Sequence, residues 1–248
     1  MVVARPPAPR TLGERLFHGA GARAYDALTD QPFWHDQIER LLDLVPPATG
    51  PVRVLDLGAG PGAATFVLAA ALPAGSQVVG VDLSPAMIAR ARAHHGRRFA
   101  HLRGVSFVEG DARALPFPDA SFDLVTGHSF LYLLPDPVAV LAEARRLMRP
   151  GAQAVFLEPA DGTSLVDAAR RGLAHAEAVA RKPAASARFA LSMLAWRAVS
   201  GTIGRMTPDR LTACFEQARL EPVTWRYTLG GLALHGVARR GAAKVAPA

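Results

Sequence analysis

The stretch Val54-Leu55-Asp56-Leu57-Gly58-Ala59-Gly60-Pro61-Gly62 decides the fold, because a β-run there feeds a glycine-dense turn that opens directly into a helical stretch. Glycines at 58, 60 and 62 remove Cβ atoms where the chain turns sharply. Backbone N–H groups at the start of the following helix can then face a polar ligand. Such a turn occurs in many folds, and it is the surroundings that make this one specific. The run Gln77-Val78-Val79-Gly80-Val81-Asp82 ends a second strand on a carboxylate, where nucleotide-binding α/β folds place an acceptor for ribose hydroxyls. A third apolar run, Val105 to Val108, closes on Glu109-Gly110-Asp111-Ala112. Three successive strands therefore each end on an acidic residue.

Outward from this block, strand and helix alternate. Strands are expected near 52–57, 77–82, 105–109, 122–127 and 153–158, with helices near 62–72, 85–95 and 137–148. That alternation implies a parallel sheet covered on both faces, with ligands outside the carboxyl ends of its strands. Residues 11–45 read as N-terminal helices, the later part carrying Phe33, Trp34, Ile38, Leu41, Leu42 and Val45 on one face. Between 161 and 205 the pattern changes to a long helical stretch without a strand, an insertion expected to sit as a lid over the strand ends. Thr207-Pro208-Asp209 starts a further helix with a capping threonine and an N1 proline. Pro222–Leu229, Gly230-Gly231 and Leu232–Arg239 read as a terminal hairpin. The expected organisation is one domain over 1–248. It comprises a disordered tail (1–10), N-terminal helices (11–45), a cofactor-binding core (52–160), the lid (161–205), and a terminal helix and hairpin (206–240).

Half of the 248 residues are hydrophobic and 20% are charged, an ordinary globular composition. The net charge of +7 comes almost entirely from arginine, and asparagine is absent. With abundant Ala, Gly and Pro this looks like a GC-rich coding bias, and no nucleic-acid partner is expected from it. The single Cys214 excludes an internal disulfide and a multi-cysteine metal site, which fits a reducing cytoplasm. No metal is expected: His94 and His95 are adjacent on a helix and point apart. Residues 57–81 carry no charge, but Pro61, Pro73 and the glycines interrupt them, so a membrane span is rejected.

A dinucleotide fingerprint wants Gly-x-Gly-x-x-Gly and has no use for an acid two residues before the first glycine, whereas this turn reads Asp-x-Gly-x-Gly-x-Gly. The pattern resembles the class I S-adenosylmethionine-dependent methyltransferases. The resemblance continues through residues 104–112, Leu115-Pro116-Phe117-Pro118-Asp119, Ser121-Phe122-Asp123-Leu124-Val125 and Leu147-Met148-Arg149-Pro150-Gly151. In order and spacing these blocks are similar to the small-molecule branch that includes the quinone-biosynthesis enzymes. The resemblance covers about residues 50–160. It implies a Rossmann-like, seven-stranded, mostly parallel sheet with an antiparallel terminal hairpin and helices on both faces.

The resemblance also implies roles. Gly58, Ala59, Gly60 and Gly62 would form the turn around the methionine portion of S-adenosylmethionine, with Asp56 fixing its amino group directly or through water. Asp82 would take the ribose hydroxyls, Leu83 and Met87 would pack on adenine, Asp111 would accept from the adenine amino group, and the Ala112 N–H would donate to the ring. His128 lies beside the methyl group, either as a base toward an acceptor hydroxyl or only as a lining residue. Tyr25 either closes over cofactor or acceptor or packs in the core. Glu158 either touches the acceptor or anchors a loop. Tyr132, standing where relatives often have histidine, and Trp196 of the lid complete the acceptor side and make it apolar. The arginines of the lid form either a solvated face or an amphipathic surface for an apolar acceptor, in peripheral contact with a membrane.

The expected reaction is methyl transfer to an oxygen or carbon of a small apolar or aromatic molecule, with S-adenosylhomocysteine as the product. Two alternatives stand beside it: a module that binds the cofactor without turnover, and a methyltransferase acting on a macromolecule. Against the latter, Gly127-His128-Ser129 is not the Asn/Asp-Pro-Pro-Tyr box of base amino-group methylation. The sequence does not distinguish monomer from homodimer.

Overall fold

Every expected strand forms in the computed structural model, which describes Asp26 and residues 32–164, 166–168 and 183–242. The strands are β1 (Arg53–Leu57), β2 (Gln77–Asp82), β3 (Val105–Glu109), β4 (Phe122–His128), β5 (Met148–Pro159), β6 (Val223–Thr228) and β7 (Ala233–Arg239). They make one seven-stranded sheet in the order β3-β2-β1-β4-β5-β7-β6. The first five pair in parallel, while β7 runs antiparallel to both β5 and β6. The strand order reverses between β1 and β4, so the crevice at their carboxyl ends is the place for a ligand.

The helices are α1 (Pro32–Leu42), α2 (Ala63–Ala71), α3 (Pro85–Arg98), α4 (Pro137–Leu147), α5 (Pro183–Ile203) and α6 (Pro208–Gln217). Three of them start alike. The side chains of Ser84, Asp136 and Thr207 accept from the N–H three residues on, and a proline follows each cap. On one face of the sheet, Leu141 and Leu147 of α4 and Leu211 and Phe215 of α6 bury against Leu55, Val125 and Phe156. On the other, Ile38 and Leu41 of α1 and Ala64 and Leu68 of α2 bury against Val54, Leu124, Val155 and Leu157. The alternation of side chains along each strand produces the two covered faces.

β5 begins five residues earlier than expected, at Met148, because the chain pairs with Phe122 before Pro150-Gly151 and resumes after an irregularity between Phe122 and Leu124. The hairpin is closed by a 3-10 turn, Leu229–Gly231, and not by a two-residue connection. Of the expected N-terminal helices, α1 is described, with Trp34, Ile38 and Leu41 buried. The tail 1–10 lies outside the described residues, as does the segment 169–182 of the expected lid. In the described part of residues 161–205, the α5 side chain of Arg197 donates to the carbonyls of Ala160 and Thr163, fastening the helix where β5 ends. Among the described residues no helix is long and apolar enough to cross a membrane.

Candidate active site

The glycine turn is fixed from two directions. Gly58, Gly60 and Gly62 have φ of 68°, 54° and 96°, a region unfavourable for side-chain-bearing residues. A Cβ on Gly58 would lie 2.3 Å from Cδ2 of Phe130, and one on Gly62 2.8 Å from Phe66. The Ala59 N–H donates to the Val81 carbonyl at 2.9 Å, tying the turn to the end of β2. Beside it, Asp82 accepts from the Gly60 N–H at 2.9 Å and from the Ser84 N–H at 2.8 Å. A half-buried carboxylate thus holds both loops at one point, at the strand end. Leu83, next along, leaves 56% of its surface exposed beside that carboxylate.

Asp56 lies beneath the turn. Only 1% exposed, it accepts from the hydroxyls of Thr65 at 2.6 Å and Thr126 at 3.2 Å. Burial raises its pKa to about 6, the two threonines oppose that rise, and the charge of Asp82 adds to it. Its partners are β4 and α2 rather than open space, so this carboxylate fastens the turn to its neighbours. Thr65→Val should leave one of its oxygens without a donor and lower stability by about 1–3 kcal/mol. An unchanged urea midpoint would show that the bond is dispensable.

Two adenine-side residues depart from expectation. Met87 is 1% exposed, buried with Ile88 in the first turn of α3. Asp111 is engaged by Arg113, with the guanidinium Nη2 at 2.6 Å and Nε at 3.0 Å, and this bonding holds its carboxyl below the usual range. Both partners are substantially exposed, so the pair is weak and can open. Ala112 is half-buried against the core. A cavity of about 240 Å³ is bordered by Pro61 and Ala63 at the start of α2, by Glu39 of α1, and by His94 and Phe99.

On the acceptor side, Glu158 resolves as an anchor. It is fully buried and accepts from the N–H groups of Phe130 (3.2 Å), Leu131 (2.8 Å) and Tyr132 (3.2 Å), gripping the loop that follows β4. Burial lifts its pKa to about 7 against the pull of those three donors. It therefore does not touch an acceptor. The Tyr132 side chain, 4% exposed, joins the main core and does not line an open surface. Trp196 does reach the strand ends: its indole N–H donates to the Ser129 hydroxyl at 3.0 Å. Its ring meets Trp34 of α1 with centroids 5.6 Å apart. Tyr25 lies outside the described residues.

His128 ends β4 next to Gly127, whose register partner is Leu57, so it stands one strand spacing from the glycine turn. Trp34 packs edge-on against its ring at 5.6 Å. Burial, with the nearby His235 opposing a second positive charge, depresses its pKa to about 4, and the imidazole is neutral at pH 7. His94 and His95 do point apart, one to Asp26 and the other to the Leu102 carbonyl. Thr65, Thr126, Trp34, Ser129 and His235 escaped the sequence reading. Thr126 shares the side-chain phase of His128 along β4 and was findable on that ground, whereas His235 required knowing that β7 inserts beside β5.

A methyltransferase domain family profile matches residues 55–156. A demethylmenaquinone methyltransferase of Mycobacterium sp. (strain KMS) is 34% identical over 89% of this chain and 91% of its own length. An aklanonic acid methyltransferase of Streptomyces sp. (strain C5) is 38% identical over 54% of this chain and 60% of its own length. The chain spans about half the length of several curated relatives that it matches, from 36% to 60%. Among solved structures, a SAM dependent methyltransferase from Aquifex aeolicus superposes with a TM-score of 0.65 at 15% identity, covering 88% of this chain and 98% of that one.

Proposed function

The chain belongs to the S-adenosylmethionine-dependent methyltransferase family, and from that premise we propose that it transfers a methyl group to an oxygen or carbon of a small apolar or aromatic acceptor. The relatives named for demethylmenaquinone and aklanonic acid support an acceptor of that kind. The observation that carries the reading is the junction of the glycine turn with Asp82, a carboxylate locked at the tip of β2 beside exposed Leu83.

The residues present fit the cofactor. The turn lacks the Cβ atoms that would fill its cradle, the Asp82 carboxylate at the strand end would accept from the ribose hydroxyls, and Leu83 offers an apolar face for adenine. Asp111 serves the adenine amino group once Arg113 swings away. The bound sulfonium supplies an activated methyl. The protein supplies alignment, and exclusion of water by α5 and the Trp34–Trp196 pair. With one cysteine, buried in α6, the chain suits a reducing cytoplasm.

Asp82→Ala should weaken S-adenosylhomocysteine binding by about 2–3 kcal/mol, roughly 30- to 150-fold, because it removes two charge-assisted bonds. Calorimetry showing an unaffected variant would remove Asp82 from the site. Turnover is tested by incubating the full chain with methyl-labelled S-adenosylmethionine and a small-molecule extract. Label should appear in low-mass apolar products. Label appearing only in macromolecules would favour the macromolecular reading, and cofactor binding without any transfer would favour a binding module.

His128 acts here as a neutral hydrogen-bond acceptor that receives a proton as the new bond forms. A base with a pKa near 4 is about six units too weak to ionise a phenol of pKa about 10 beforehand. His128→Ala should lower kcat by about 10²-fold on a hydroxyl acceptor while cofactor affinity stays within a few-fold. In the wild type this group contributes no change in rate between about pH 5 and 8, and its acid limb lies near 4. A limb near 6.5 that disappears in His128→Ala would show that the imidazole is solvated and basic during turnover.

A further inference from the structure

His128 and His235 stand in one row across the sheet. Leu157 of β5 is the register partner of His128 in β4 on one side and of His235 in β7 on the other. Register partners on adjacent strands point to the same face, so the two imidazoles flank the Leu157 side chain on the face covered by α1. His235 is 1% exposed. The Nε2 atoms of both rings are buried without a hydrogen-bond partner among the described residues. An orphaned buried polar atom costs about 1–3 kcal/mol, and two in one row point to a missing partner.

The two orphans can take complementary roles. Arg226, the cross-strand partner of His235, directs its Nε at His235 Nδ1 at 3.5 Å. A guanidinium only donates, so Nδ1 accepts, and the proton of a neutral imidazole sits on Nε2 as a buried donor. A neutral His128 carries its one proton on either ring nitrogen, and with that proton on Nδ1 its Nε2 is a buried acceptor. Burial holds both rings neutral, with pKa values of about 4.

A group that accepts from one imidazole and donates to the other is a hydroxyl. We propose that His128 and His235 form a single hydroxyl-reading site, in which the acceptor's O–H accepts from His235 Nε2–H and donates to His128 Nε2 beneath Trp34. The proposal rests on the methyltransferase reading for the identity of that hydroxyl as the acceptor's, and it narrows the substrate to phenols, enols and related hydroxyl compounds. His235 is a binding residue, contributed by the terminal hairpin to a site otherwise made by β4, α1 and α5.

The test is nitrogen-15 NMR of the full chain with ring-labelled histidines, titrated with 1-naphthol and with 1-methoxynaphthalene, which has the same ring system but no donor proton. In the free protein His128 should show the Nδ1–H tautomer and His235 the Nε2–H tautomer. 1-Naphthol should shift both Nε2 resonances and bind about tenfold tighter than the ether, the discrimination of one buried hydrogen bond. His235→Leu should erase that preference, and His235→Gln, whose amide N–H₂ restores a donor, should retain it. Equal affinity for the two arenes, a preference that survives His235→Leu, or Nε2 signals untouched by either arene, as for a fixed bridging water, would overturn the proposal. Should His235→Leu not fold, the wild-type comparison of the two arenes and the glutamine variant still decide. Calorimetry with S-adenosylhomocysteine separates the two readings. No cofactor binding, with the naphthol preference intact, refutes the methyltransferase reading alone; cofactor binding and turnover without the preference refute the hydroxyl site alone.

Discussion

Glu158→Ala is expected to lower the free energy of unfolding by about 3–5 kcal/mol, a large part of the roughly 5–15 kcal/mol available to an ordinary domain. The substitution leaves the N–H groups of Phe130, Leu131 and Tyr132 without an acceptor in a place where Glu158 is 0% exposed. Each such orphan costs about 1–3 kcal/mol, and relaxation or an entering water keeps the sum below three full penalties. The same loop carries Phe130, whose ring closes over Gly58, so cofactor affinity should fall as well. Chemical denaturation showing a loss under about 1 kcal/mol would mean that the loop holds its own shape.

A pH dependence accompanies this carboxyl. Its folded pKa, about 7, lies above the ordinary value of 4.5, so the native state binds more protons between these limits. The stabilising contribution is complete below the ordinary value and is lost as pH rises through about 7. Asp56 acts in the same direction between 3.8 and about 6. Glu158→Gln removes the first of these, so the stability difference between wild type and this variant should favour the wild type more at pH 5 than at pH 7. A difference independent of pH would contradict the raised pKa.

Gly58→Ala should lower stability by roughly 2–4 kcal/mol and cofactor affinity by more than tenfold. The left-handed backbone at φ 68° costs a side-chain-bearing residue about 1–2 kcal/mol. The added Cβ falls 2.3 Å from Cδ2 and 2.7 Å from Cγ of Phe130, the near part of the ring, which cannot swing clear without moving its loop. That loop is the one Glu158 grips, so the strain passes directly to the three N–H bonds. A variant of wild-type stability and affinity would show that Phe130 is loosely held.

What the sequence makes legible follows from short-range physics. The β1 turn is readable because glycines with positive φ, an apolar strand before them and a helix after them are all local. The starts of α3, α4 and α6 are likewise written as a cap followed by proline. The site residues that the reading misplaced or left open depend on packing across elements. Glu158 is next to a proline at a strand end, where a ligand contact and a loop anchor both stay open, and the β4 loop folds down onto it and takes both oxygens. Tyr132 stands in an apolar triplet, and the 3-10 turn rotates its side chain into the core. Met87 sits in the helical turn after Asp82, where the inward phase of α3 cannot be told from an outward one by four residues alone. His235 lies far along the chain in an ordinary-looking hairpin. Its role depends on β7 inserting between β5 and β6, a long-range pairing that no local pattern encodes.

The most direct test of the central claim is a calorimetric titration of the full chain with S-adenosylhomocysteine. The glycine turn and Asp82 predict one site per chain in the micromolar range, about −7 to −8 kcal/mol. No heat of binding with either S-adenosylhomocysteine or S-adenosylmethionine, or tight binding of NADH in their place, would contradict the account.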